Sequence, residues 1–316
     1  MRKLLKRIGQ VFLAVLLAIV LFLTLSAIIH HISLWAESSY LVPRGKIVHV
    51  DGRGIHVFAD GEKSSGKTLV FLSGSGTVAP VYDFKVLYNQ LSENHRIVVV
   101  EKAGYGYSEI SRTSRDIDSL LQEVREALRL AGEVAPYVLV PHSMSGLEAL
   151  YWAQKYPDEV EAIIGLDMAT PESYDHFDFA KMNRTMNLLR ASAWFGLHRI
   201  PGVYSLNTDL LTKDEIEQQK MLAYRNALNV DVLFEGLAVQ RNASMVKKGG
   251  ILSGFPILLF TSNGKEIGDF WVPCQENFAA ENNAYLVKLD CGHYMHHHEA
   301  EKMRREMSNF LDMLGK

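Results

Sequence analysis

The chain has 316 residues, a formal net charge of −3 and 22% charged residues. This length suits one globular domain of about 270 residues plus an appendage. A protein that binds nucleic acid needs a basic face, so the charge balance argues against nucleic acid as a partner.

The N-terminus carries the pattern of a membrane anchor. Four basic residues precede an uncharged stretch from Ile8 to Ile29, and the next Lys or Arg is Arg44. A stretch of about 20 apolar residues spans the hydrocarbon of a bilayer as a helix, and the positive-inside bias places the basic end in the cytoplasm. We therefore predict an uncleaved single-pass anchor in the cell membrane over residues 1–32, with the remaining chain outside the cytoplasm. The alternative is a signal peptide cleaved near Ala27, although secretory apolar regions run only about 7–15 residues.

A tether over residues 33–45 leads into the first strands. Residues 46–61 alternate apolar and polar positions around D-G-R-G, which predicts an antiparallel hairpin. Thr68–Leu72 is an apolar strand, and the glycine-rich loop S-G-S-G-T follows it. A helix is predicted near Val81–Ser92 and a buried strand over Ile97–Val100, which runs into G-Y-G-Y-S.

The middle of the chain alternates helices with apolar strands. Within residues 114–131 the apolar positions recur at helical spacing: Ile117, Leu120, Leu121, Val124, Leu128 and Ala131. Gly132 ends this helix. A strand at Tyr137–Val140, a helix over residues 147–156 and a buried strand over residues 160–167 follow. Such alternation predicts an α/β fold with a mostly parallel sheet covered by helices on both faces.

Residues 171–250 differ from the rest of the chain. They are rich in Met, Leu and aromatic residues, have a mostly helical pattern and lack the signal of a buried strand. An insertion of this size predicts a helical cap over the strand ends where α/β sheets bind ligands. The sheet resumes at Ile257–Phe260 and ends with a strand over residues 285–289. The core thus comprises residues 46–170 and 251–316.

The sequence Y-V-L-V-P-H-S-M-S-G at residues 137–146 has the pattern of a strand that turns sharply into a helix. A serine presented on such a turn has a strained backbone and needs compact neighbours, here Pro141 and Ser145. Ser143 is therefore a candidate nucleophile. The alternative is a strand–turn–helix joint with an incidental serine.

This turn, the S-G-S-G-T loop, the G-Y-G-Y-S segment and a final Gly292-His293 turn occur in one order along the chain. In this combination the chain resembles the α/β-hydrolase fold family over about residues 46–314. The resemblance implies a nucleophile, an acid and a histidine in that order. The chain departs from the family at Pro141 and Ser145, where glycines are usual, and at Ser73-Gly74, where His-Gly is usual.

The resemblance implies roles for particular residues. Ser143 would be the nucleophile and His293 its base. The oxyanion hole would consist of the backbone amides of Ser75 and Met144. For the acid, the loop after the strand that follows the cap places Glu266 nearest the usual position. Asp269, three residues on, and Asp167, one strand earlier in the chain, are the alternatives.

Other polar residues are given structural roles. His296-His297-His298 is interpreted as a solvated or helix-capping run, because consecutive residues do not readily converge on one ion. His142 is expected to pack. Cys274 and Cys291 are expected to be free buried thiols, and a disulfide between them in an extracytoplasmic domain is the alternative. No metal and no cofactor are expected.

The resulting functional hypothesis is a membrane-anchored serine hydrolase. It would cleave a carboxylic ester, lactone or thioester through an acyl-enzyme, with a small-molecule or lipid-like acyl substrate and no obligate protein partner. An amidase or aminopeptidase of the same fold is one alternative, and a non-catalytic hydrolase-like receptor is another.

Overall fold

A computed structural model of the protein describes residues 2–63, 66–203, 206–252 and 254–315. The helices are α1 (Arg2–Ser38), α2 (Pro80–Asp83), α3 (Lys85–Leu91), α4 (Ile117–Ala131), α5 (Gly146–Lys155), α6 (Phe179–Trp194), α7 (Lys213–Asn226), α8 (Val230–Lys248), α9 (Trp271–Asn282) and α10 (Ala300–Leu314). The strands are β1 (Lys46–Val50), β2 (Arg53–Asp60), β3 (Thr68–Leu72), β4 (Arg96–Glu101), β5 (Tyr137–Pro141), β6 (Val160–Leu166), β7 (Ile257–Thr261) and β8 (Tyr285–Lys288).

These strands form one sheet in the order β1-β2-β4-β3-β5-β6-β7-β8. The β1–β2 and β2–β4 pairs are antiparallel, and the pairs from β4 to β8 are parallel. Clusters of buried apolar side chains cover both faces of the sheet. The predicted fold class, a mostly parallel sheet between two layers of helices, is confirmed.

Helix α4 shows how local sequence determines an element. The Asp116 carboxylate accepts the Ser119 N–H at the start of the helix, and Gly132 ends it with φ 82°. All six apolar positions that the periodicity predicts are buried. They pack α4 against the β1–β2 edge of the sheet.

The segment between β6 and β7 is an insertion that contains α6, α7 and α8, and its described residues include no strand. Hydrogen bonds fix it to loops at the carboxyl ends of two core strands. The Asn226 side-chain amide donates to the carbonyls of Val78 and Gly106, at 2.9 and 2.8 Å. Val78 lies in the loop after β3, and Gly106 lies in the loop after β4. We call this helical insertion the cap.

Helix α1 extends from the core as a long apolar rod. Among the described residues it is the one helix long and apolar enough to cross a membrane, a property that signal sequences share. It continues to Ser38, so the first half of the predicted tether is helical. Most of its side chains are exposed, but Ala27 and His30 are buried, and the His30 Nδ1 accepts a hydrogen bond from Arg199 of the cap at 2.8 Å.

Candidate active site

Ser143 lies in the tight turn between β5 and α5. Its φ of 55° is in the left-handed region, which residues other than glycine rarely adopt. The start of α5 also approaches the loop after β6 so closely that a Cβ on Gly146 would lie 2.4 Å from the Ala169 carbonyl oxygen. The backbone therefore has the strained geometry that the sequence of this turn predicts.

The two unusual residues of the turn are accommodated. Pro141 is the last residue of β5, where a missing N–H costs least. The Ser145 hydroxyl is buried and lies 2.7 Å from the Leu72 carbonyl oxygen and 2.8 Å from that of His142. Serine in place of glycine thus adds a hydrogen bond between the turn and β3.

His293 lies in the turn after β8 and contacts Ser143. Its Nε2 is 2.8 Å from the Ser143 hydroxyl, and its Nδ1 is 2.7 Å from Oδ2 of Asp167. The three side chains form one continuous hydrogen-bonded chain.

The carboxylate at Nδ1 is therefore Asp167. The sequence analysis had favoured Glu266 and had given Asp167 as an alternative. Glu266 instead accepts the backbone N–H of His293 at 2.8 Å. Its carboxylate lies against Gly292, where an added Cβ would be 2.5 Å from Oε1. Asp269, the other alternative, is exposed.

The path of the histidine turn explains this difference. The prediction assumed that Asp167 would have to reach past one strand, because β7 separates β6 from β8. The turn after β8 instead extends back over the sheet edge until His293 meets Ser143, which follows β5. Its Nδ1 consequently lies near the end of β6, which Asp167 follows directly.

The loop after β3 lies against the serine. A Cβ on Gly74 would be 2.6 Å from the Ser143 Cβ, so only glycine permits this approach. Ser75 follows Gly74 in this loop, and Met144 lies in the short 3-10 turn that Ser143 begins. The two segments expected to supply oxyanion amides are thus next to the serine.

The comparisons with known proteins agree with this architecture. Residues 67–192 match the family model for the alpha/beta hydrolase fold. An uncharacterized protein, YbdG of Bacillus subtilis, is 42% identical over 240 residues, which are 72% of each chain. The chain belongs to the α/β-hydrolase fold family.

Solved structures support the fold of this hydrolase. An esterase from Exiguobacterium antarcticum has a TM-score of 0.64 at 19% identity, over 85% of this chain and 99% of the esterase. An epoxide hydrolase from Bacillus megaterium has a TM-score of 0.63 at 18% identity, over 84% of this chain and all of the other. At such identities the likeness shows the fold alone.

Of the three consecutive histidines beside the hydrolase site, His298 is exposed, as a solvated run requires, but His296 and His297 bind a carboxylate instead. His296 is buried, with its Nε2 2.9 Å from one oxygen of Asp83, and the His297 Nε2 is 3.0 Å from the other. Consecutive histidines thus do converge, on a carboxylate. The nitrogen and oxygen atoms that His296, His297 and Asp83 could offer to a metal lie within 4.8 Å of one another, a spacing that could hold an ion.

His142 is also buried, as its expected packing role requires. Burial, reinforced by the neighbouring His293 and His296, holds its pKa well below the usual value. Its Nε2 lies 3.3 Å from the His293 carbonyl oxygen. His142 therefore supports the turn that carries His293 and stays neutral.

A buried charged cluster links the hydrolase core to the cap, and the sequence analysis missed it. The Lys102 ammonium binds Glu148 of α5 at 2.6 Å and Glu235 of α8 at 2.5 Å. Tyr105 donates to Glu235 at 2.5 Å and accepts the Gly76 N–H at 3.3 Å. A lysine immediately after a buried strand was the available signal. The cluster connects the cap with α5, which follows the Ser143 turn, and with the loop after β3.

A cavity of about 670 Å³ opens beside the site. Its lining combines core and cap residues, among them Thr77, Asp83, Asn207, Glu266 and Tyr294. Glu266 contacts His293, so the cavity adjoins the Ser143–His293–Asp167 chain. It offers space for a small substrate between the cap and the core.

The two cysteines are free thiols, as expected. Burial raises the pKa of both to about 11. Both thiols are therefore protonated at neutral pH, which disfavours them as nucleophiles.

Proposed function

We propose that this protein is a serine hydrolase that cleaves an ester-type bond through an acyl-enzyme on Ser143. The observation that carries the proposal is the continuous chain from the Ser143 hydroxyl through His293 to Asp167, at 2.8 and 2.7 Å. A serine hydroxyl needs a base within hydrogen-bond reach, and the base needs a partner that orients it.

Each of the three hydrogen-bonded side chains has a defined role. His293 Nε2 takes the proton from Ser143 as its oxygen attacks the carbonyl carbon, and later delivers that proton to the leaving group. Asp167 holds the proton on Nδ1 and stabilises the imidazolium. The amides of Ser75 and Met144 would stabilise the oxyanion, and losing one such donor costs about 3 kcal/mol.

The substrate class we propose is a carboxylic ester, lactone or thioester of a small or lipid-like acyl compound. Epoxide hydrolases of this family use an aspartate nucleophile, and Ser143 stands at that position here. A serine forms an acyl-enzyme that water then hydrolyses, which suits ester-type carbonyls.

Labelling with a fluorophosphonate probe tests the proposal. We expect the wild-type protein to be labelled and Ser143→Ala to lose both labelling and ester turnover. Ser244→Ala changes an exposed serine on α8 and should behave as wild type. Labelling that persists in Ser143→Ala would contradict the assignment, and labelling without turnover of any ester or amide would favour a ligand receptor.

We further propose that α1 is an uncleaved anchor in the cell membrane and that the hydrolase domain lies outside the cytoplasm. The basic residues before Ile8 support this orientation. The contact of Ser26 with the cap supports retention, because cleavage near Ala27 would remove the hydrogen bond from the Ser26 hydroxyl to the Phe195 carbonyl oxygen.

A further inference from the structure

The contacts between α1 and the cap set the height of the cap relative to a membrane. The Ser26 hydroxyl donates to the Phe195 carbonyl oxygen at 2.6 Å. Eleven residues further along α1, Glu37 pairs with Arg199 through two hydrogen bonds of 2.6 and 2.7 Å. The segment from Phe195 to Arg199 therefore follows α1 away from its apolar part.

Helix geometry converts these contacts into depths. With Ile8 at the inner boundary, Ser26 lies about 27 Å along the axis and Glu37 about 44 Å, at 1.5 Å per residue. The hydrocarbon core is about 30 Å thick, and the whole bilayer with headgroups about 40–45 Å. Measured from the inner hydrocarbon boundary, the outer headgroup layer extends from about 30 to about 37 Å. Phe195 therefore lies near the outer edge of the hydrocarbon, and the Glu37–Arg199 pair lies just beyond the outer headgroups.

The cap segments next to these contacts, the second half of α6 and the residues that follow Arg199, expose apolar side chains. We call them the apolar rim: Leu188, Leu189, Trp194, Ile200 and Val203, each between 44% and 72% exposed. The Trp194 ring lies 5.3 Å from that of His31 on α1. Tryptophan is enriched where membrane meets water, because its ring is apolar and its N–H is polar.

The positive charge of α6 also suits contact with a membrane. The helix contains Lys181, Arg184 and Arg190 and no acidic residue. Lys181 and Arg184 precede Leu188 by seven and four residues, so the three share the outward face. Basic residues beside exposed leucine and tryptophan are typical of helices that lie in the membrane interface.

We infer that the apolar rim is a membrane-contacting surface, through which the cap rests in the outer headgroup layer of the lipid bilayer. This inference rests on the proposed anchor, since α1 fixes the height of the rim. It does not depend on the chemistry at Ser143. The cap would thus sit where lipid-like acyl compounds are concentrated.

Quenching of tryptophan fluorescence by brominated phosphatidylcholine tests this on the full chain in vesicles. Trp152 and Trp271 are 1% and 2% exposed, whereas Trp35 and Trp194 are 79% and 57% exposed. Trp35→Phe thus leaves Trp194 as the exposed reporter. We expect bromines near the top of the acyl chain to quench Trp35→Phe and to leave Trp35→Phe/Trp194→Phe nearly unquenched.

A matched control places an exposed tryptophan elsewhere. Val134 is 77% exposed and precedes the amino end of β5, whereas the cap is bonded to loops at the carboxyl ends of the parallel strands. Val134→Trp in the Trp35→Phe/Trp194→Phe background should not be quenched. Unchanged emission from Trp152 and Trp271 in the double variant would verify its fold.

Three results would overturn the inference, and they are distinguishable. Equal quenching of Trp35→Phe and the double variant, with the protein still in the membrane pellet after alkaline carbonate, would contradict the membrane-contacting surface but not the proposed anchor. Release of the protein by carbonate would contradict both the anchor and the membrane-contacting surface. Blue-shifted Trp194 emission that depends on protein concentration but not on bromine would instead assign the rim to a second copy of the chain. Fluorophosphonate labelling reports on the proposed chemistry independently of all three.

Discussion

Two carboxylates contact His293, and they bind different atoms of it. Asp167 binds the ring Nδ1, whereas Glu266 binds the backbone N–H. The other oxygen of Asp167, Oδ1, accepts the Ser262 N–H and the Trp271 Nε1–H, each at 2.8 Å. These two donors fix the orientation of a fully buried carboxylate, so Oδ2 is held toward His293.

This orientation predicts the effect of Asp167→Asn. The asparagine carbonyl oxygen would stay with Ser262 and Trp271, which are both donors, and its NH₂ would face His293. The ring would then keep its proton on Nε2 and could not accept the proton of Ser143. We expect the turnover rate for a chromogenic ester to fall by about 10⁴-fold, as in other triads that lose this carboxylate.

Glu266→Gln is the matched variant for that measurement. Glutamine keeps an oxygen that can accept the His293 backbone N–H, and the ring is untouched. We expect a loss of less than about tenfold, on the order of one weakened hydrogen bond. A collapse of turnover in Glu266→Gln with near-normal turnover in Asp167→Asn would return the acid to Glu266.

Three elements meet at the buried cluster around Lys102. Glu148 belongs to α5, Glu235 belongs to α8, and Lys102 directly follows β4. Burial raises the pKa of Glu148 to about 7, although Lys102 opposes the shift. Its second oxygen, Oε2, is buried without a hydrogen-bond partner among the described residues, so ionisation of Glu148 is unfavourable in the folded protein.

This shift predicts how the stability of the domain depends on pH. Between about pH 4.5 and 7 the folded protein holds a proton on Glu148 that the unfolded chain releases. The contribution of this group to stability is therefore present at low pH and is lost as pH rises through 7. We expect Glu148→Gln to flatten the fall in melting temperature between pH 5 and pH 8 that the wild type shows.

Thermal unfolding in one detergent at both pH values would measure this difference. Glu301→Gln, an exposed change on α10, should keep the wild-type pH dependence. An identical fall in Glu148→Gln and wild type would show that Glu148 does not titrate in this range.

The elements differ in how far the sequence predicts them. Helix α4 follows from local signals, because Asp116, the apolar spacing and Gly132 lie within one segment. The serine turn is equally local. The assignment of Asp167 as the partner of His293 is not a local signal, because it depends on how the turn after β8 crosses the sheet to bring His293 over β6. The partners of Lys102 come from α5 and α8, 46 and 133 residues away, so no local pattern marks them.

On the scale of the whole molecule, α1 and the hydrolase domain form one packed unit. Beyond α1, the tether is fixed to α7: the Gln218 side chain binds both the Tyr40 carbonyl oxygen and the Val42 N–H, at 2.7 and 3.0 Å. Arg44 pairs with Glu215 of the same helix at 2.5 Å. These contacts hold the hydrolase domain close to the end of α1, so in the proposed topology the domain would have little freedom to move away from the membrane.

The topology of the chain is the last prediction. An apolar helix from Ile8 to Ile29 should keep the protein in the membrane pellet after alkaline carbonate. The basic residues before Ile8 should keep the N-terminus in the cytoplasm. Protease added to spheroplasts should therefore remove a C-terminal tag and spare an N-terminal one. Removal of the N-terminal tag alone would reverse the orientation. A mature N-terminus near Ile28 would show cleavage, and the contact between Ser26 and Phe195 could not exist in the processed protein.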